Sequence, residues 1–148
     1  MRVLPLLGKP LKSDEIMEVL EIHEMNVVYD FDRLHENIPD RYVVNSKEGG
    51  FELQFDERQV LDVIFLHIKP EHGFAPFALS LSDIPICGTI EDVSRLGTDL
   101  GVSTTSGEGK LFGISRKWTR LEFPKYSVHY EFREELAMVT VQARKPVE

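Results

Sequence analysis

The chain reads as an α+β protein. Two tandem helix-then-antiparallel-sheet repeats share one antiparallel sheet and pack their helices on one face. Two observations predict this: capped amphipathic helices at 13–24 and 89–96, and look-alike strand hairpins at 51–65 and 128–141. With 148 residues the chain fits a single domain, residues 1–148, divided into an internal repeat of 1–77 and 78–148.

The first helix is marked at its start. Ser13 is an N-cap, and Asp14 and Glu15 complement the positive end of a helix. Ile16, Val19, Leu20 and His23 then fall on one face. Residues 26–32 and 40–46 lean towards strand. Gly49-Gly50 makes a turn, after which Phe51, Leu53 and Phe55 alternate with Glu52 and Gln54. Asp56 to Gln59 turns the chain into a second strand, residues 60–68, with Val63 and Phe65 on one face. Residues 69–77 hold two prolines and a glycine and read as a linker between the halves.

The second half repeats the order. After Leu79 to Pro85, Thr89 caps a helix that carries Ile90, Val93 and Leu96 and is expected to end at Gly97. Residues 98–110 are rich in Gly, Ser and Thr and read as an irregular loop. Strands are expected over 116–123, 128–132 and 136–143. Aligning the hairpins sets Phe132 against Phe55, 77 residues apart, and Val139 against Val63, 76 apart, with one residue fewer in the second turn. One such unit leaves an apolar sheet face and a sheet edge uncovered, and two can cover both.

Composition narrows the function. The formal net charge of -8 disfavours nucleic acid and anionic membrane surfaces and would steer a basic protein. The first ten residues are too short an apolar run for a secretory signal, and no window approaches a membrane span, so a cytoplasmic protein is expected. Cys87 is the one cysteine and reads as a buried, inert thiol.

No catalytic signature stands out. Residues 107–113 break the spacing of a dinucleotide fingerprint, and Gly109-Lys110 is not followed by the hydroxyl residue of a phosphate loop. His67 and His72 flank a proline-containing loop, too few ligands for a zinc site. Gly-x-Ser-x-Gly does not occur. Neither a catalytic residue, a metal nor a cofactor is expected.

The Gly88-Thr89-Ile90-Glu91-Asp92-Val93 start, with Leu96-Gly97, the Trp118 strand and the terminal hairpin, resembles the helix-then-sheet unit of SmpA/OmlA-type lipoproteins. Two units in tandem resemble the beta-lactamase inhibitor protein architecture. They are similar, too, to small bacterial proteins of doubled pattern that often act as toxin immunity proteins. The first half carries no Gly-Thr start and no Trp before its hairpin, and the lipidated cysteine of the lipoproteins is lacking. The resemblance implies a protein that binds and neutralises a toxin.

Strand parity then names a surface. Core positions should be Phe51, Leu53, Phe55, Val63, Phe65, Leu121, Phe123, Val128, Tyr130, Phe132, Val139 and Val141. The opposite face should present Glu52, Gln54, Trp118, Arg120, Glu122, His129 and Glu131, a set with one Trp and one Arg suited to an interface and acids suited to a basic partner. A basic toxin domain is the expected partner. The alternatives are a small-ligand binder or enzyme using residues 97–113, and a homo-oligomer.

Overall fold

In a computed structural model, which describes residues 1–23, 25, 27–30 and 40–144, Ser13 caps the first helix as expected. Its Oγ accepts the Ile16 amide at 3.4 Å, and α1 runs over Asp14–Ile22. The strand-leaning stretches become β1 (Val27–Asp30) and β2 (Arg41–Ser46). Residues 26, 31 and 32 of the first stretch, and His35, lie outside the described residues. β3 (Phe51–Phe55) and β4 (Leu61–His67) form the first hairpin. Its turn is held by Asp56, whose Oδ1 accepts the amides of Arg58 and Val60.

Thr89 Oγ1 accepts the Asp92 amide at 3.1 Å and opens α2. This helix does not stop at Gly97. It continues over Ile90–Leu100 and ends at Gly101, whose φ of 67° is the left-handed cap. Gly97 serves a different purpose. A Cβ there would lie 2.6 Å from Thr104 Cγ2 and 3.2 Å from Leu121 Cδ2, so its bare backbone lets the helix approach the sheet.

The expected loop at 98–110 is mostly strand. Ser103–Leu111 is β5, paired residue for residue with β6 (Ile114–Glu122). Phe112 and Gly113 connect them with φ of 52° and 77°, the left-handed pair a two-residue hairpin turn needs. The small polar residues that resembled a loop are those of a sheet edge, where little packing is demanded of side chains. β7 (Tyr126–Arg133) and β8 (Glu135–Ala143) form the last hairpin.

Among the described residues the eight strands make one antiparallel sheet in the order β1-β2-β3-β4-β8-β7-β6-β5. β4 and β8, the last strand of each four, pair at the centre, Ile64 opposite Val141 and Leu66 opposite Val139. One face of the sheet builds the core. Leu53, Ile64, Val141, Val128 and Leu121 stand in one cross-strand row, all buried. Ile16 and Leu20 of α1 and Val93 of α2 join the same apolar cluster. Tyr130, fully buried there, donates its hydroxyl to the Pro85 carbonyl at 2.8 Å. Cys87 is buried beside it, and burial pushes its thiol pKa up, away from the reactive thiolate.

Two expected core residues change sides. Val63 and Phe65 lie in the rows of Gln54 and Glu52, on the face away from the core, while Leu61, Ile64 and Leu66 are the residues of β4 in the core cluster. The cause is the length of the turn. Phe55 faces Leu61 across five residues, whereas Phe132 faces Leu136 across three, so the second turn is shorter by two residues rather than one. A one-residue slip exchanges the faces of a strand. Ile64, rather than Val63, stands opposite Leu53, as Val139 stands opposite Tyr130.

The 69–77 segment, expected as a linker, is bound down as a strap. The Ala75 amide donates to the Lys47 carbonyl and the Phe77 amide to that of His67, each at 2.7 Å. Arg133 grips Glu71 with two hydrogen bonds, of 2.9 and 2.5 Å. The strap crosses so close to the β2–β3 turn that a Cβ on Gly50 would lie 2.2 Å from the Ala75 carbonyl oxygen.

Candidate functional site: the open sheet face

All seven residues expected on the open face lie there, in three cross-strand rows. The first joins Gln54, Val63, Gln142, Ser127 and Glu122; the second joins Glu52, Phe65, Thr140, His129 and Arg120; the third joins His67, Met138, Glu131 and Trp118. Each of the seven is partly exposed. Alternation along β3 and β7, where one parity is plainly apolar, was enough to find four of them, and Leu121 and Phe123 at the end of β6 set the parity of Trp118, Arg120 and Glu122.

Trp118 is placed by what is missing beside it. Gly107 is its partner on β5, and a Cβ there would lie 2.6 Å from the indole Cζ2. The indole thus lies across bare backbone at the sheet's edge. Its other side stacks on His129, ring centroids 5.2 Å apart and planes 28° from parallel. The Arg120 guanidinium carbon stands 5.8 Å from the indole centroid, within cation–π range. Next to this cluster Arg120, Ser127, His129, Thr140 and Gln142 line a shallow dimple of about 200 Å³.

The acids of this face are already engaged. Glu122 accepts hydrogen bonds from Arg120 at 2.5 Å, from Thr105 at 3.1 Å and from Arg144. Burial pushes its carboxyl pKa up, but these donors outweigh it and hold it below the ordinary value. Glu131 lies 3.4 Å from Arg133 and 3.9 Å from Arg116. Glu52 accepts from Gln54 at 3.0 Å. The chain's acidity is concentrated elsewhere: α1 and α2 together carry seven carboxylates against one arginine. For His129 burial outweighs the nearby Glu131 and lowers its pKa, so the ring stacks on Trp118 in neutral form.

His67 and His72, weighed as a metal pair, have different duties. His67 is buried on the open face and stacks on Phe74 of the strap, centroids 3.9 Å apart, while Lys47 Nζ sits 3.8 Å over Phe74's ring. His72 has a φ of 53° and offers its carbonyl to Lys47 Nζ. Among the described residues no group of three or more His, Cys, Asp or Glu is placed to hold a metal. The stack of His67, Phe74 and Lys47 escaped the sequence reading because it joins three segments with no shared periodicity.

A larger cleft, of about 880 Å³, opens away from all seven residues. It lies between Lys69 and Glu71 of the strap, the start of α2, the β5–β6 turn and the β7–β8 turn. Of residues 97–113, only Gly113 reaches it. Among the described residues no helix is long and apolar enough to cross a membrane. Comparison with known protein families, with curated proteins and with solved structures finds no match.

Proposed function

We propose that the chain is a protein-binding module, an immunity-type inhibitor that neutralises a basic toxin domain in the cytoplasm by docking it on the open sheet face. The observation that carries this reading is the Trp118, His129 and Arg120 cluster, a partly exposed aromatic and guanidinium group at the side of a shallow dimple. Trp and Arg so placed are the usual anchors of protein interfaces. The dimple falls short of the roughly 300–1,000 Å³ of small-molecule sites, which favours a protein over a metabolite on this face. Because the face's own arginines engage its acids, the affinity would come from those anchors, and the net charge of -8 would act on the rate of encounter with a basic partner.

The reading includes a duplicated architecture, each helix covering the same side of the shared sheet. Several offsets support it. The capping residues Ser13 and Thr89 stand 76 apart, and the register irregularities at Gln54/Phe55 and Glu131/Phe132 stand 77 apart. Bulges re-aim a strand and are not placed at random, so two at one spacing favour a common plan.

The test is co-expression with the product of the adjacent gene, followed by titration calorimetry of the purified pair. Trp118→Ala and Arg120→Ala should each weaken the complex by about 2 kcal/mol or more, the cost of losing an interface anchor. A neighbour that forms no complex, or affinity indifferent to both substitutions, would overturn the proposal. A second reading, small-ligand binding, is favoured only by the volume of the cleft beside α2. Ligand-induced protection of Lys69 and Lys117 from acylation would reveal it.

A further inference from the structure

β5 ends the sheet, and its nine residues leave an outer edge with no strand beside it among the described residues. It contains no proline, and its register with β6 shows no bulge. Such an edge is a template for another strand unless its side chains forbid pairing. Charges usually do so. Here the order Glu108-Gly109-Lys110 has the opposite effect when two copies meet antiparallel about a two-fold axis. Pairing about a two-fold axis at Gly109 sets Glu108 of each copy opposite Lys110 of the other, and Gly109 opposite Gly109. Nothing lies within 4 Å of a Cβ position on Gly109, so the axis is unobstructed.

The same register addresses an exposed apolar residue. The β5–β6 arm extends past β7, since β6 pairs with β7 only as far as Lys117. Phe112 at its tip is 94% exposed and held at a φ of 52°, an unusual conformation for a bulky residue. Pairing about Gly109 carries Phe112 of each copy level with Ser106 of the other, so that the turn at each arm's tip lies alongside the partner's strand rather than projecting alone. The axis is perpendicular to the sheet, so the open faces of both copies point the same way and stay free.

We infer that β5 is a self-association edge, through which a second copy of this chain pairs antiparallel over residues 107–111 about Gly109. The test is sedimentation equilibrium of the whole chain across the micromolar range, for Glu108→Lys, Lys110→Glu, and an equimolar mixture of the two. Each variant alone turns both cross-strand pairs repulsive and should weaken self-association roughly tenfold or more. The mixture regains both attractions and should associate as the unsubstituted chain does. A chain that stays monomeric, variants that associate unchanged, or a mixture no better than its components would each overturn the inference. Because rescue occurs between two separately folded variants, misfolding cannot imitate it.

Discussion

At the scale of single residues, the molecule depends on where a side chain is withheld. Trp118 can lie flat at the sheet edge because Gly107 presents no Cβ, and it is then fixed by His129 on its other side. Gly107→Val should push the indole off the backbone. The expected result is a red-shifted tryptophan emission, a stability loss of about 1–3 kcal/mol from overpacking, and a loss of partner affinity like that of Trp118→Ala. Trp118 is the one tryptophan, so its fluorescence reports this place alone. Unchanged emission would show that Gly107 does not seat the ring. Trp118 and Gly107 were each visible in the sequence, but their pairing was not. It needed the knowledge that 103–111 is a strand, and Ser, Thr and Gly at an edge give no apolar alternation from which to read one.

At the scale of elements, turns and straps decide what periodicity leaves open. Both capped helices were legible because N-caps are local: one hydroxyl, one amide three residues on, and acids in the first turn. Strand parity was legible for β3 and β7, where one face is continuously apolar, and for β6 only at its end, where Leu121 and Phe123 alternate with Arg120 and Glu122. It failed for β4. Both faces of β4 carry apolar residues, Leu61, Ile64 and Leu66 on one and Val63 and Phe65 on the other, so only the turn length could set the register. The strap at 69–77 is held in part by one ion pair. Arg133 and Glu71 are both largely buried and joined by two hydrogen bonds. Arg133→Met should leave the Glu71 carboxylate in place without its partner, at a cost of about 1–3 kcal/mol. Limited proteolysis should then cut first within 69–77, while the β7–β8 hairpin resists. The Arg133 bonds hold the Glu71 carboxyl below its ordinary 4.5, so the pair contributes stability above that pH and loses it as the pH falls. The Met variant should lack this part of the acid transition. Cleavage elsewhere, or an unchanged acid limb, would mean the strap is held by its backbone bonds and the Phe74 stack without the ion pair.

At the scale of the whole molecule, the open face couples proton uptake to stability. Burial lowers the pKa of His67 despite Glu52 and Glu71 nearby, and lowers that of His129 despite Glu131. The unfolded chain therefore takes up these protons at the ordinary 6.5, while the folded chain resists until a lower pH. The sign follows from linkage: stability is full above 6.5 and falls as the pH drops through the folded values, because the unfolded state binds more protons there. A urea midpoint measured against pH should accordingly be level from neutrality up to the ordinary thiol value of 9.0, above which the raised Cys87, Tyr126 and Tyr130 begin to cost stability, and below neutrality it should fall in two stages. The first begins near 6.5 and belongs to the histidines, and the second begins below 4.5 and belongs to Glu71 and Glu122. Replacing both histidines by Phe keeps the stacks on Phe74 and Trp118 and removes the titration, so the first stage should vanish and the second remain. A first stage that survives this double substitution would place its protons elsewhere. The same protons reach the proposed docking surface. A charged His129 beside Arg120 sets two cations where a basic partner would be buried, so affinity should fall over the first stage, and in the His129→Phe variant it should not.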